Sequence, residues 1–178
     1  MGVRTYARFT IPMAALATPE PRVAVAAILD ISTDNLSAIL AQDPSRNDSV
    51  AGFANQTAVR LVDDVPCLVI EDDEANSAGE DLSDALIEAG IPFLRVNAVG
   101  DEYGPARRAF TGIGALVDVD VNLSGDIVVV VARIRGRARL DRGTLEAVDR
   151  YFAAEHQVLH GPPAPRRKRQ RGTTGTPP

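Results

Sequence analysis

Residues 66–99 constrain the fold most. Leu68, Val69 and Ile70 form a short apolar run that reads as a strand at about 66–71. Ser77 and Glu80 then stand at the spacing of a capping box. Leu82, Ala85, Leu86 and Ala89 recur at i, i+3, i+4 and i+7, which predicts an amphipathic helix. Gly90 supplies a left-handed stop, and Pro92 prevents continuation. Phe93 to Val99 reads as a second strand. Strand, helix and strand in this order commit the chain to a sheet with a helix packed on it.

The flanks extend that unit without repeating it. Val3, Thr5, Ala7, Phe9 and Ile11 alternate with Arg4, Tyr6, Arg8 and Thr10, the pattern of a half-buried strand. Arg4 and Arg8 before the apolar run Phe9–Ala17 faintly suggest a signal peptide, but Thr10 and Pro12 interrupt it and the alternation favours the strand. Thr18-Pro19-Glu20 predicts a helix start, with a helix over 19–30 and a shorter one over 33–42. Two strands are expected at 56–62 and 66–71, joined at Asp63-Asp64. A hairpin is expected at 115–122 and 127–134, with a final helix over 143–159. Because helices and strands alternate irregularly, a purely parallel sheet is not expected. The expectation is one compact α+β domain over 1–160. It has three or four helices on one side of a mixed five- or six-stranded sheet, followed by a disordered Pro/Arg-rich tail over 161–178.

Composition narrows function by exclusion. No apolar stretch approaches the ~20 residues that span a bilayer, so no membrane partner is expected and the expected location is cytoplasmic. One cysteine, Cys67, excludes a disulfide framework and a Cys-rich zinc module. With 4% aromatics and no Trp, a base-stacking platform is not expected. No Ser-His-Asp or phosphate-loop arrangement is present, and the chain reads as a non-enzymatic protein without a cofactor.

Charge is the most informative feature. The net of -5 hides two opposed segments. Arg166, Arg167, Lys168, Arg169 and Arg171 form a basic arm able to bind nucleic acid electrostatically. From Asp63 to Glu102 there are 12 acids and one base, Arg95. Within that stretch Glu71, Asp72, Asp73 and Glu74 sit at the end of a strand, where ligands bind in α/β folds. Asp81, Asp84 and Glu88 stand at i, i+3 and i+7 on the outer face of the helix, with no base at pairing distance in sequence. Together these seven residues make a candidate surface for a basic, nucleic-acid-handling protein, in imitation of a phosphate backbone. The plain alternative is that the acids solubilise the chain.

Two resemblances accompany this reading. Leu68-Val69-Ile70-Glu71-Asp72-Asp73-Glu74, with Asp84-Ala85-Leu86-Ile87-Glu88-Ala89-Gly90, resembles the opening of a response-regulator receiver domain. Val117-Asp118-Val119-Asp120-Val121 resembles that family's phosphoacceptor strand. The resemblance implies a Mg²⁺ site at Asp72 and Asp73, with Asp118 or Asp120 as acceptor, although the chain is too short for the remaining receiver units. Separately, Glu80-Asp81-Leu82, Gly90-Ile91-Pro92-Phe93 and Glu102-Tyr103-Gly104-Pro105-Ala106-Arg107-Arg108-Ala109-Phe110 resemble a pattern in small acidic proteins of plasmids, integrative elements and phages. That second resemblance covers about 71–160 and implies a mobile-element accessory protein.

Weaker signals complete the inventory. Arg133, Arg135, Arg137 and Arg139 alternate, as on a phosphate-facing strand, but Gly136 interrupts them. His156 and His160 have helical metal-pair spacing without a third ligand nearby, and Cys67 reads as a buried, inert thiol.

Overall fold

The computed structural model describes residues 6–45, 56–72, 79–97, 105–122, 126–129, 131–134, 137–140 and 142–162, with the backbone alone at 131–134 and 137–140. The N-terminal strand β1 (Ala7–Pro12) runs into a 3₁₀ turn, Met13–Leu16, and then helices α1 (Pro19–Ile28) and α2 (Thr33–Leu40). Strands β2 (Gln56–Val62) and β3 (Val65–Asp72) follow, then helix α3 (Glu80–Glu88) and strand β4 (Phe93–Asn97). The chain continues through β5 (Ala106–Phe110), β6 (Val117–Asp120), β7 (Val131–Ile134) and β8 (Arg137–Leu140) to helix α4 (Arg142–His160).

Local chemistry explains the boundaries. Val62 pairs with Val65, leaving Asp63 and Asp64 as a two-residue hairpin turn with φ of 49° and 63°. Aspartate tolerates this left-handed region, which such turns require at both positions. In α2 the Ser32 side chain accepts a hydrogen bond from the Asn35 N–H at 3.1 Å. Helix α3 ends as expected at Gly90, φ 65°, where the Ile91 N–H reaches back to the Leu86 carbonyl at 2.9 Å. Leu86 and Ile91 are both buried, so the stop is also a core contact.

Six strands form one sheet in the order β2-β3-β1-β4-β5-β6, every neighbouring pair antiparallel, and β7-β8 form a separate two-stranded ribbon. The fold is therefore α+β, one compact domain with four helices. Strands β3 and β4, joined through α3, both flank β1, so the strand–helix–strand unit is split by the N-terminal strand.

The helices cover both faces, not one. On one face Phe9, Ile11, Leu68, Ile70 and Phe93 pack with Leu16, Val25, Leu36 and Leu86 from the 3₁₀ turn and α1–α3. On the other, Cys67, Val69, Leu94, Ala109 and Val119 pack with Tyr151, Ala154 and Val158 of α4. Burial on both sides explains why Cys67–Ile70 is uniformly buried instead of alternating.

The expected hairpin over 115–134 forms only at its base. Val121 bridges Ile127, and the Val128 N–H reaches the Asp120 carbonyl at 3.0 Å. Val131–Ile134 pairs instead with Arg137–Leu140. Strand β5, absent from the sequence expectation, takes the place beside β6.

Candidate functional site: an acidic helix over the sheet

Helix α3 docks through a polar anchor. Arg95, on the helix-covered face of β4, is wholly buried. Its Nε donates to Asn97 Oδ1 at 2.7 Å, its Nη1 to Ser83 Oγ at 2.6 Å and its Nη2 to Glu80 Oε1 at 3.0 Å. The guanidinium carbon also lies 5.7 Å from the centre of the Phe9 ring. Arg108 of β5 donates to the same Glu80 oxygen. A buried charge needs partners of this kind, since an unpaired one would cost several kcal/mol.

The electrostatics follow from that geometry. Burial raises the Glu80 carboxyl, but hydrogen bonds and charge from Arg95 and Arg108 outweigh it and hold the pKa below the ordinary glutamate value. Burial lowers Arg95, with Glu80 opposing the shift. Arginine remains charged under such a perturbation.

Glu80 is thus an anchor and not the second half of a capping box. The N-cap is Gly79, at φ 75°, with no side-chain cap bond, and Ser77 lies outside the described residues. A Cβ on Gly79 would stand 2.8 Å from two carbons of the Phe9 ring. Glycine there lets the start of the helix settle directly on the sheet.

The remaining acids of α3 behave as the spacing suggests. Asp81, Asp84 and Glu88 are exposed, and none forms an ion pair with another described residue. Both arginines that reach α3 are turned inward onto Glu80. Arg107, adjacent in sequence, points to the opposite face, beside Tyr151 of α4.

Strand alternation decides which other acids join this side. Thr57, Ile70, Phe9, Arg95, Arg108 and Asp118 form one row across the sheet. Asp72, Ala7, Asn97, Ala106 and Asp120 form the next row on the same face. Asp72, Asp118 and Asp120 therefore share the α3 side. Glu71 faces the other way, 3.4 Å from Arg60, and so does not extend the α3 surface. Asp73, Glu74 and the basic residues Arg166, Arg167, Lys168, Arg169 and Arg171 lie outside the described residues.

The structure does not bring the receiver-like carboxylates together. Asp72 on β3 and Asp118 or Asp120 on β6 are four strand spacings apart, ~19 Å at ~4.8 Å each. One Mg²⁺ cannot touch both. Among the described residues no group of three or more His, Cys, Asp or Glu side chains is placed to hold a metal. His156 and His160 stack with ring centres 4.7 Å apart near the end of α4. Cys67 is buried, and burial, helped by the charge of Asp63, pushes its thiol up to about 12. Among the described residues no single helix is long and apolar enough to cross a membrane.

Sequence reasoning missed Arg95 and Arg108 as the residues that fix α3. The available signal was Arg95 itself, a lone base inside the apolar strand Phe93-Leu94-Arg95-Val96. No protein-family model matches the chain, and neither does any curated protein or solved structure.

Proposed function

We propose that this is a non-enzymatic binding protein, an accessory of a mobile genetic element, that engages a basic partner through the outer face of α3. The observation that carries the reading is the division of labour among the helix acids. Glu80 takes up both arginines within reach, and Asp81, Asp84 and Glu88 remain exposed without a described ion pair. A helix stabilised by its own surface charges would carry bases three or four residues away.

The spacing suits imitation of a nucleic-acid strand. At ~1.5 Å rise per residue, the three carboxylates span ~10 Å of helix axis. One strand of duplex DNA places a phosphate every ~3.4 Å along its axis, so the row presents a comparable though sparser line of charge. Asp118 and Asp120, exposed on the same side of the sheet, widen the negative field. The resemblance to small acidic plasmid and phage proteins supports the same reading.

Competition tests it. The full chain is immobilised, basic proteins from the native host are captured at low salt, and double-stranded DNA is added. Release of a captured nucleic-acid-handling protein by DNA supports mimicry. Capture that DNA does not disturb contradicts it.

A further inference from the structure

A second site lies where β6 and the returning chain part company. After the bridge between Val121 and Ile127 the two segments diverge, and the first turns of α4 close the gap. The result is a cavity of about 330 Å³ walled by Asp118, Val119, Asp120, Val128, Ala147 and Val148. That volume is at the lower end of the ~300–1,000 Å³ range of small-molecule sites, which limits the occupant to a few carbons and one polar head.

The walls sort by chemistry. Val119, Val128, Ala147 and Val148 offer aliphatic surface, and Val128 is 41% exposed with nothing over it among the described residues. Asp118 and Asp120 are exposed and form no ion pair with a described residue. The cations that might neutralise them are engaged elsewhere, Arg108 with Glu80 and Arg142 with Glu146. Gly143 and Thr144 bring the first turn of α4 to the cavity. A helix start carries only about half a positive charge, against two full negative ones, so the net field favours a cation.

We propose that this cavity binds a primary alkylammonium group, whether the head of a small aliphatic amine or of a lysine side chain. The alkyl chain lies on the valines and the ammonium meets the two aspartates. An ammonium is a compact charge with three donors, suited to two separate carboxylates, whereas a guanidinium favours a planar fork on one. The site stands independently of the α3 reading, because it uses neither Asp81, Asp84 nor Glu88.

The test is an amide chemical-shift titration of the full chain with n-butylammonium, N-acetyl-lysine methylamide and butyrate. The expected result is saturable, millimolar binding of the cations, with shifts centred on Val119, Val128, Ala147 and Val148, and no such shifts from butyrate. Stronger binding of the free amine assigns a metabolite, and stronger binding of the lysine derivative assigns a protein side chain. The double variant Asp118→Asn, Asp120→Asn should lose affinity about tenfold or more. Ala147→Leu, which fills the cavity without changing charge, should abolish the shifts. Equal response to butyrate, unchanged binding in Ala147→Leu, or no saturable shift with either cation would overturn the proposal.

Discussion

Glu80 and Arg95 hold helix α3 to the sheet through a bond of 3.0 Å between a part-exposed carboxylate and a wholly buried guanidinium. The pair is asymmetric, and the asymmetry predicts its energetics. Removing Glu80 leaves a buried charge with only neutral partners described. Glu80→Gln should therefore destabilise the fold by ~2 kcal/mol, reduced from the full buried-pair penalty because Glu80 is about a third exposed to solvent screening. Denaturant unfolding measures this, and a double-mutant cycle with Arg95→Met separates the coupling from the loss of packing.

The same carboxylate sets an acid limit. Its folded pKa lies below its ordinary value of 4.5, so its contribution to stability is present above that value. The contribution is lost as pH falls through the lowered folded pKa. Stability of the native chain should drop between neutral pH and the acid range more steeply than that of Glu80→Gln. Parallel slopes for the two proteins would contradict the assignment.

Gly79 should tolerate no side chain. A methyl group there meets the Phe9 ring at 2.8 Å, and the backbone φ of 75° is itself unfavourable for alanine. Gly79→Ala should cost about 2 kcal/mol or more, with the strain and the overpacking adding. Phe9→Leu in the same background should recover part of the loss, which a thermal melt can read.

How much of this was legible depended on whether a residue's signal was local. The turn at Asp63-Asp64 and the stop at Gly90 are single-residue chemistry, and both stand where the sequence places them. The exposed row of Asp81, Asp84 and Glu88 follows from helical periodicity alone. Strand β5 was illegible because Ala106-Arg107-Arg108-Ala109-Phe110 sends one arginine to each face, where distant partners receive them. The buried position of Arg95 likewise depends on Ser83 and Glu80, 12 and 15 residues away in sequence. The second helix-covered face was readable in principle, since the apolar run Cys67–Ile70 lacks the alternation of a sheet with one wet side.

Cys67 should be silent in the native state. Its thiol is buried and held near 12, so little thiolate exists at neutral pH. Labelling with an aromatic disulfide should proceed only as fast as the chain opens and should become rapid in denaturant. Fast stoichiometric labelling under native conditions would contradict the packing described for β3.

The central claim is that the outer acids of α3 serve a partner and not the fold. The variant Asp81→Asn, Asp84→Asn, Glu88→Gln removes mutual repulsion worth a few tenths of a kcal/mol per pair, so its melting temperature should equal or slightly exceed that of the native chain. Its association with the captured basic partner should be slower by about tenfold at low salt, with the difference shrinking as salt rises. Glu80 stays unchanged in this variant, which keeps the anchor intact. The measurement is the association rate of the two proteins with that partner across a salt series, alongside their melting temperatures. Equal stability with slower, salt-sensitive association is the predicted result. A triple variant that folds normally and captures the partner as fast as the native chain at low salt would contradict the claim.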